Sequence, residues 1–241
     1  NRLLGKHPRA RMFFHKWLLL VLSLTLLGVA SLETLTIFLT VTLAAWFTCK
    51  WGLRLTPRGR TVLLWFQVPL LLIPLIFYKY AYFIGSEILQ QDWDTLRHLI
   101  IPIGISFYTF QIIGFCVDTL RRDQPMPTFI DYMNFGSFFP QIVAGPIERR
   151  ADLLPQMQNL KLFFRKENLE KGIPYIILGL FFKLTLADNL AAVFYVRPEH
   201  NACFLWHYAL VFTFRIYFDF AGYGLTAYGV AKCLGVELRM N

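Results

Sequence analysis

Phe135 to Met157 reads FGSFFPQIVAGPIERRADLLPQM, and this stretch decides the fold. It is apolar, yet Pro140, Gly145 and Pro146 disfavour helix, and it opens into Glu148, Arg149, Arg150 and Asp152. Hydrocarbon cannot hydrogen-bond a broken backbone, so at membrane depth such a segment is either shielded by protein or lines a polar cavity. The stretch is a candidate working site inside a membrane protein.

Composition points the same way. Of 241 residues 56% are hydrophobic, 17% aromatic and 16% charged, against roughly 25% charged in a soluble globular domain. The expected fold is an all-α, polytopic helical bundle with a re-entrant or in-plane segment. Asn1 is not an initiator Met, no short signal-peptide pattern precedes the first apolar stretch, and Asn241 follows an apolar helix directly. Residues 1–241 therefore read as an internal piece of a longer protein, with no internal repeat and no second soluble domain.

A net charge of +9 would suggest nucleic acid in a soluble domain, but here the positions of the basic residues matter more than their sum. Arg2, Lys6, Arg9, Arg11 and Lys16 lead the chain, and Lys50, Arg54, Arg58 and Arg60 follow the next apolar block. Arg121 and Arg122, six residues from Arg149 to Lys171, and Lys232 with Arg239 complete the pattern. These fall in alternate connections, while the others hold only Arg97 and Arg197. Positive residues favour the cytoplasmic side, so the expected location is the cell (inner) membrane with the N-terminal end inside and no nucleic-acid partner.

The apolar run from Trp17 to Cys49 exceeds one span of about 20 residues. Ser31, Leu32 and Glu33 offer a turn between two short helices of about 15 residues, which would need local bilayer thinning or tilted packing. A third helix is expected over Thr61 to Phe83, kinked at Pro69 and Pro74. An outer loop carrying Glu87, Asp92 and Asp94 follows, and then a fourth span from Leu99 to Val117. The segment Met126 to Ile147 has basic residues on both sides, so it should enter and leave on one face. The stretch Arg149 to Lys171, with Leu153, Leu154, Leu160, Leu162, Phe163 and Phe164 interleaved, is expected along the inner interface. Pro174 to Val196 then crosses outward, and Cys203 to Phe220 returns. Gly222 and Gly224 should bend or break that last helix before it continues to Leu238.

Ionisable residues inside predicted spans are the strongest functional signal. Lys183, Asp188 and Asn189 interrupt one span, and Arg215 and Asp219 sit four apart on one face of the next, a spacing that permits pairing within a helix. Each charge at this depth costs at least ~2.5 to 3.5 kcal/mol on insertion scales, so it should face a partner or water. Two readings stay open: internal struts pairing Arg215 with Asp219 and Lys183 with Asp188, or the wall of a polar substrate tunnel. Gln111, Asp118 and Gln141 are milder intrusions. Gln141, between Pro140 and AGP, either lines a cavity or satisfies the helix break itself.

No catalytic constellation stands out. His7 and His15 lie in the basic N-terminal segment, His98 and His200 near outer boundaries, and His207 beside Trp206 and Tyr208 in an expected aromatic belt. None has the spacing of a metal helix or an evident Ser or Cys nucleophile, so neither a metal nor a bound cofactor is expected. Cys49, Cys116, Cys203 and Cys233 form no CxxC pair. Palmitoylation of Cys49 beside Lys50 is a minor option. Gly222, Gly224 and Gly229 lack the strand and Lys-Ser/Thr of a phosphate loop, and read instead as close helix packing.

Five motifs also occur in one order: GISFYTFQ at Gly104 to Gln111, VDTLRR at Val117 to Arg122, FFPQIVAGPIERRADLLPQM at Phe138 to Met157, LFFKLTLADNLA at Leu180 to Ala191 and IYFDFAGY at Ile216 to Tyr223. Over roughly residues 60 to 241 the chain resembles membrane-bound O-acyltransferases, in the bacterial branch of alginate O-acetyltransferases and D-alanyl exporters. The resemblance implies that residues 1–241 are the N-terminal and central part of such a domain. It also implies that the intramembrane histidine expected to act as base lies in a more C-terminal segment, so this piece alone should be inactive. Relatives often read FDFSGYSD where this chain has FDFAGYGL, which bears on the substrate more than on the fold.

The resemblance thus implies an O-acyltransferase moving a short acyl group, plausibly acetyl, from a thioester donor to a hydroxyl of an extracytoplasmic acceptor such as a polysaccharide. The donor would be acyl-CoA or an acyl carrier, and expected partners are the lipid bilayer, an acyl-carrier protein and an extracytoplasmic acyl-accepting partner. The basic stretch Arg149 to Lys171 could dock the carrier or hold anionic lipid heads. The rival readings are a transporter or channel, which also uses intramembrane charges and broken helices, and a non-catalytic assembly subunit.

Overall fold

The computed structural model describes residues 8–89, 100–143, 145–162, 165–192 and 202–240, and every regular element among them is helical. Asp92, Asp94, Arg97 and His98 of the expected outer loop, and His7, Arg197 and His200, lie outside the described residues. The chain divides into two compact units, one running to Val143 with Ile147–Leu160 and the other comprising Ala144–Pro146 with Lys161–Asn241.

The first unit begins with α1 (Pro8–Ala30) and α2 (Leu32–Gly52). Ser31 separates them as expected: its backbone is extended and its hydroxyl accepts from the Thr34 N–H at 3.4 Å, capping α2. At 23 and 21 residues the two helices are longer than the expected halves of about 15, and each is long enough to cross a bilayer without thinning it. Pro8 opens α1 well before the apolar run, so Arg11 and Lys16 ride on the helix, where Lys16 is buried against Asp131.

Thr56 caps α3 (Pro57–Phe83), which carries Pro69 and Pro74 inside a continuous helix and passes into a π-helical turn at Ile84–Ile88. Gln67 is buried on α3 and donates to Thr48 Oγ1 at 2.5 Å, with the Cys116 and Cys49 sulfurs 3.3 and 3.7 Å from the same amide nitrogen. Two thiols that look scattered along the sequence are thus neighbours around one amide that ties α3 to α2 and α4.

Helix α4 (Ile105–Arg121) starts later than the expected Leu99, because Gly104 takes a left-handed conformation, φ 71°, at its N-terminus. It packs on α2 and α3, and its buried Tyr108 and Phe115 form ring contacts with Phe38, Tyr132 and Phe135. The awkward segment then folds as α5 (Phe129–Ser137) and α6 (Phe139–Ile142). At nine and four residues both are too short to cross the ~30 Å hydrocarbon core. α7 (Arg150–Gln158) follows. Leu153, Leu154 and Leu160, expected at the interface, are buried in the unit, because α7 packs its apolar side on α4 and α5.

The second unit is a helical hairpin. α8 (Lys166–Leu180) continues through a π-helical stretch at Phe181–Ala187 into α9 (Asp188–Ala192), and packs antiparallel to the 33-residue α10 (Ala202–Leu234). Gly222 and Gly224 do not break α10, contrary to expectation. Gly222 instead lets the helices touch: a Cβ there would lie 2.8 Å from the Gly179 carbonyl oxygen, and one at Gly229 would lie 2.7 Å from that of Gly172. Small residues seven apart on each helix give this close approach. α10 ends at Gly235, φ 82°, with Val236 N–H donating to the Ala231 carbonyl at 2.9 Å, a left-handed glycine cap.

Among the described residues, four stretches are long and apolar enough to cross a membrane by length and composition: Ala10–Ala30, Leu32–Gly52, Pro57–Ile88 and Lys166–Ala192.

Candidate functional site

Two groupings of polar residues stand out, one in each unit. In the first, α4 faces the broken segment. Gly104 abuts the backbone at Ile142, where any Cβ would collide with the Ile142 carbonyl. One and two turns further along that face come Tyr108 and Gln111, both buried. Gln111 Oε1 accepts from the Glu148 backbone N–H at 2.9 Å, so a side chain supplies the hydrogen bond that the helix-hostile GPIE sequence denies its backbone. Gln141, the sequence candidate here, is buried at the end of α6. Tyr108 Oη, Gln111 Nε2 and Gln141 Oε1 are buried without a hydrogen-bond partner among the described residues, an unusual concentration, since buried polar atoms are normally satisfied.

Arg150 anchors the end of this seam. It is buried, donates to Thr119 Oγ1 and the Pro125 carbonyl, and lies over the Phe115 ring at 4.7 Å. Burial pulls its guanidinium below the ordinary value and Asp118 opposes the shift; an arginine stays charged in either case. Asp118, Arg122 and Arg150 line a polar cleft of about 260 Å³.

In the second unit Lys183 sits on the π-helical stretch of the α8 strand of the hairpin. Its ammonium lies 2.8 Å from Asp188 Oδ1 and 2.7 Å from Asp219 Oδ1, and 5.5 Å from the Tyr223 ring centre. The expected Lys183–Asp188 pair is present. Asp219 reaches across to Lys183, and Arg215 stands one turn before it on α10. Asn189 donates to the Thr185 carbonyl at 2.6 Å, holding the exit from the π-helical stretch.

Close packing makes the crossing possible. A Cβ on Gly222 would meet Lys183 backbone N at 2.9 Å, so the bare glycine lets α10 approach until Asp219, three residues earlier, faces the ammonium. The π-helical widening adds its own rotation, with the Asp188 N–H donating to the Lys183 carbonyl five residues back, a distortion that recurs at functional sites. The cluster is not sealed, since the Lys183, Asp219 and Asp188 side chains keep 28%, 35% and 47% of their surface exposed.

Of the six candidates, the structure joins Lys183, Asp188 and Asp219 directly, and keeps Asn189 and Arg215 on the same hairpin. Gln141 belongs to the other unit. Gln111 and Arg150 are polar anchors that the sequence alone does not single out. Gln111 carried a signal, being a lone amide in an apolar helix with no i±4 partner. His207 lies exposed near the start of α10, and no described residues cluster as metal ligands.

No protein-family model matches the chain. Individual relatives do. It is 32% identical over 198 residues to the peptidoglycan O-acetyltransferase of Helicobacter pylori, covering 68% of this chain and 37% of that protein. It is also 32% identical over 262 aligned positions to the probable alginate O-acetylase AlgI of Pseudomonas putida, covering 99% of this chain and 51% of that protein. The teichoic acid D-alanyltransferase of Streptococcus thermophilus is 28% identical over 152 residues, 58% of this chain and 36% of that protein. The chain spans about half or less of the length of these relatives.

Proposed function

The chain is a membrane protein that belongs to the membrane-bound O-acyltransferase family, and on that premise we propose that the whole protein transfers a short acyl group, acetyl first among them, to a hydroxyl of an extracytoplasmic polymer such as a polysaccharide. The observation that carries this is the alignment of nearly the whole chain with a probable alginate O-acetylase. The peptidoglycan O-acetyltransferase and teichoic acid D-alanyltransferase relatives support a polymeric acceptor.

The reaction is a transfer between two faces of one bilayer. The acceptor oxygen attacks the thioester carbonyl carbon, the new C–O bond forms, the C–S bond breaks, and the acceptor's proton passes through a base to the departing thiolate. No residue of this chain is assigned the base. Its own residues supply polar surfaces within each unit: Lys183, Asp188, Asn189, Arg215 and Asp219 on the hairpin of the second, and Gln111 with Gln141 along the broken segment of the first. The exposed edges of the Lys183 cluster support a polar passage along the hairpin.

The donor is an acyl thioester carried by coenzyme A or an acyl-carrier protein. The basic stretch Arg149 to Lys171 supports an acidic or phosphate-bearing donor. The protein resides in the cell (inner) membrane, with the basic N-terminal end and the Arg149 to Lys171 stretch cytoplasmic, and an extracytoplasmic partner presents the acceptor. The test is reconstitution of the full-length protein in proteoliposomes with a radiolabelled acetyl thioester on one side and polysaccharide on the other. Alkali-labile label on the polymer is the expected product, whereas solute flux with no acyl turnover would overturn the proposal.

A further inference from the structure

The outward face of the first unit carries a groove with a chemical polarity that acyl transfer does not use. Between α3 and α4 lies a cavity of about 330 Å³ lined by Trp65, Val68, Pro69 and Val117, with Thr61 and Arg121 at one end. Trp65 is 77% exposed on a helix long and apolar enough to cross a membrane, so the groove opens toward lipid. Its polar end coincides with the basic end of the bundle. Arg58 lies one turn before Thr61 on α3, hence on the same face.

What distinguishes this end is which cations are already engaged. Arg60 is held by Asp123 and by the carbonyls of Leu53 and Leu55, Arg122 by Asp118, and Arg150 by Thr119 and Pro125. Arg58 and Arg121 are both exposed, and neither has an ion pair or hydrogen bond from its side chain among the described residues. Arg121 lines the mouth of an apolar slot that leads away into the span, with Arg58 one turn from Thr61 beside it; Arg54, likewise exposed and unengaged among the described residues, is not in the lining.

We propose that this groove is a site for an anionic phospholipid of the surrounding bilayer, its phosphate group held by Arg58 and Arg121 and one acyl chain laid along Trp65, Val68, Pro69 and Val117. A guanidinium offers paired donors to a phosphate, and basic pockets between spanning helices on the cytoplasmic side bind anionic head groups. A zwitterionic lipid fills the same slot but gains nothing net from the two charges, so the site selects by head group.

Native mass spectrometry of the full-length protein in mild detergent, titrated with phosphatidylglycerol and separately with phosphatidylcholine, tests this. The expected result is at least tenfold tighter retention of phosphatidylglycerol. The preference should fall about fivefold with Arg121→Ala and again with Arg58→Ala. Val68→Trp, which fills the slot, should weaken both lipids together while circular dichroism stays helical. Equal retention of the two lipids by the unaltered protein, or an unchanged preference in the folded double variant, overturns the site.

Discussion

Lys183 Nζ lies 2.7 Å from Asp219 Oδ1, an ion pair that joins the π-helical stretch of one hairpin strand to the middle of the other. Asp188 takes the second side of the same ammonium at 2.8 Å. Charge, helix distortion and glycine packing therefore meet at one point. Asp219→Asn leaves the ammonium with one carboxylate. Because the side chains are partly exposed, the expected loss is about 1 kcal/mol of stability rather than the 3 to 5 of a sealed pair. A double-mutant cycle with Lys183→Met, read by fluorescence-detected melting, should show the coupling, whereas additive single effects would deny it.

The glycines give a sharper contrast. Gly222→Leu and Gly179→Val push side chains into the facing backbone, and should cost at least about 1 to 3 kcal/mol and most of the folded protein. Gly224 has no atom near its would-be Cβ, so Gly224→Ala should be neutral or stabilising by up to about 1 kcal/mol. Size-exclusion yields of the three variants decide it. Equal behaviour would mean the hairpin is not packed this way.

In the first unit, Gln111→Leu removes the acceptor of the buried Glu148 N–H and should destabilise by about 1 to 3 kcal/mol. Gln111→Glu keeps an acceptor and should lose less. Gly104→Ala should be worse than either, since the left-handed backbone and the Ile142 carbonyl both oppose a Cβ. Thermal midpoints in matched detergent give the order.

Arg150→Lys is not conservative, because one ammonium cannot serve Thr119 and the Pro125 carbonyl while also covering the Phe115 ring. A loss of about 1 to 3 kcal/mol is expected, measured by the same melting assay.

The proposed orientation is checked by cysteine labelling. With the native thiols removed, Ser86→Cys should react with an impermeant maleimide from outside the cell, and Lys161→Cys only after permeabilisation. Labelling of both from one side would reverse or break the topology.

How much of this was readable beforehand depends on whether a feature is local. The Ser31 break and the refusal of Phe135 to Arg149 to form a long helix follow from neighbouring residues, and the sequence carries them. Helix length was misjudged at α1 because apolar counting starts at Trp17, while the backbone starts at Pro8 and buries Lys16 against Asp131. Asp219 meets Lys183 on another helix, which nothing local reveals, since i,i+4 spacing points only to Arg215. One signal was overlooked. Gly172 with Gly179 and Gly222 with Gly229 are each seven apart, and reading them as a matched pair of small-residue stripes would have kept α10 whole and set it against α8.

The most direct measurement is acyl transfer by the full-length protein carrying Asp219→Ala or Lys183→Met, compared with the unaltered protein at equal amounts of folded material. The unaltered protein should load acetyl ester onto the polymer, and each variant should fall at least about tenfold while its melting midpoint moves only a few degrees. Full transfer by both folded variants would show that the charged cluster has no part in the passage, and absence of transfer by the unaltered protein with every thioester donor and hydroxyl acceptor tried would contradict the enzymatic reading itself.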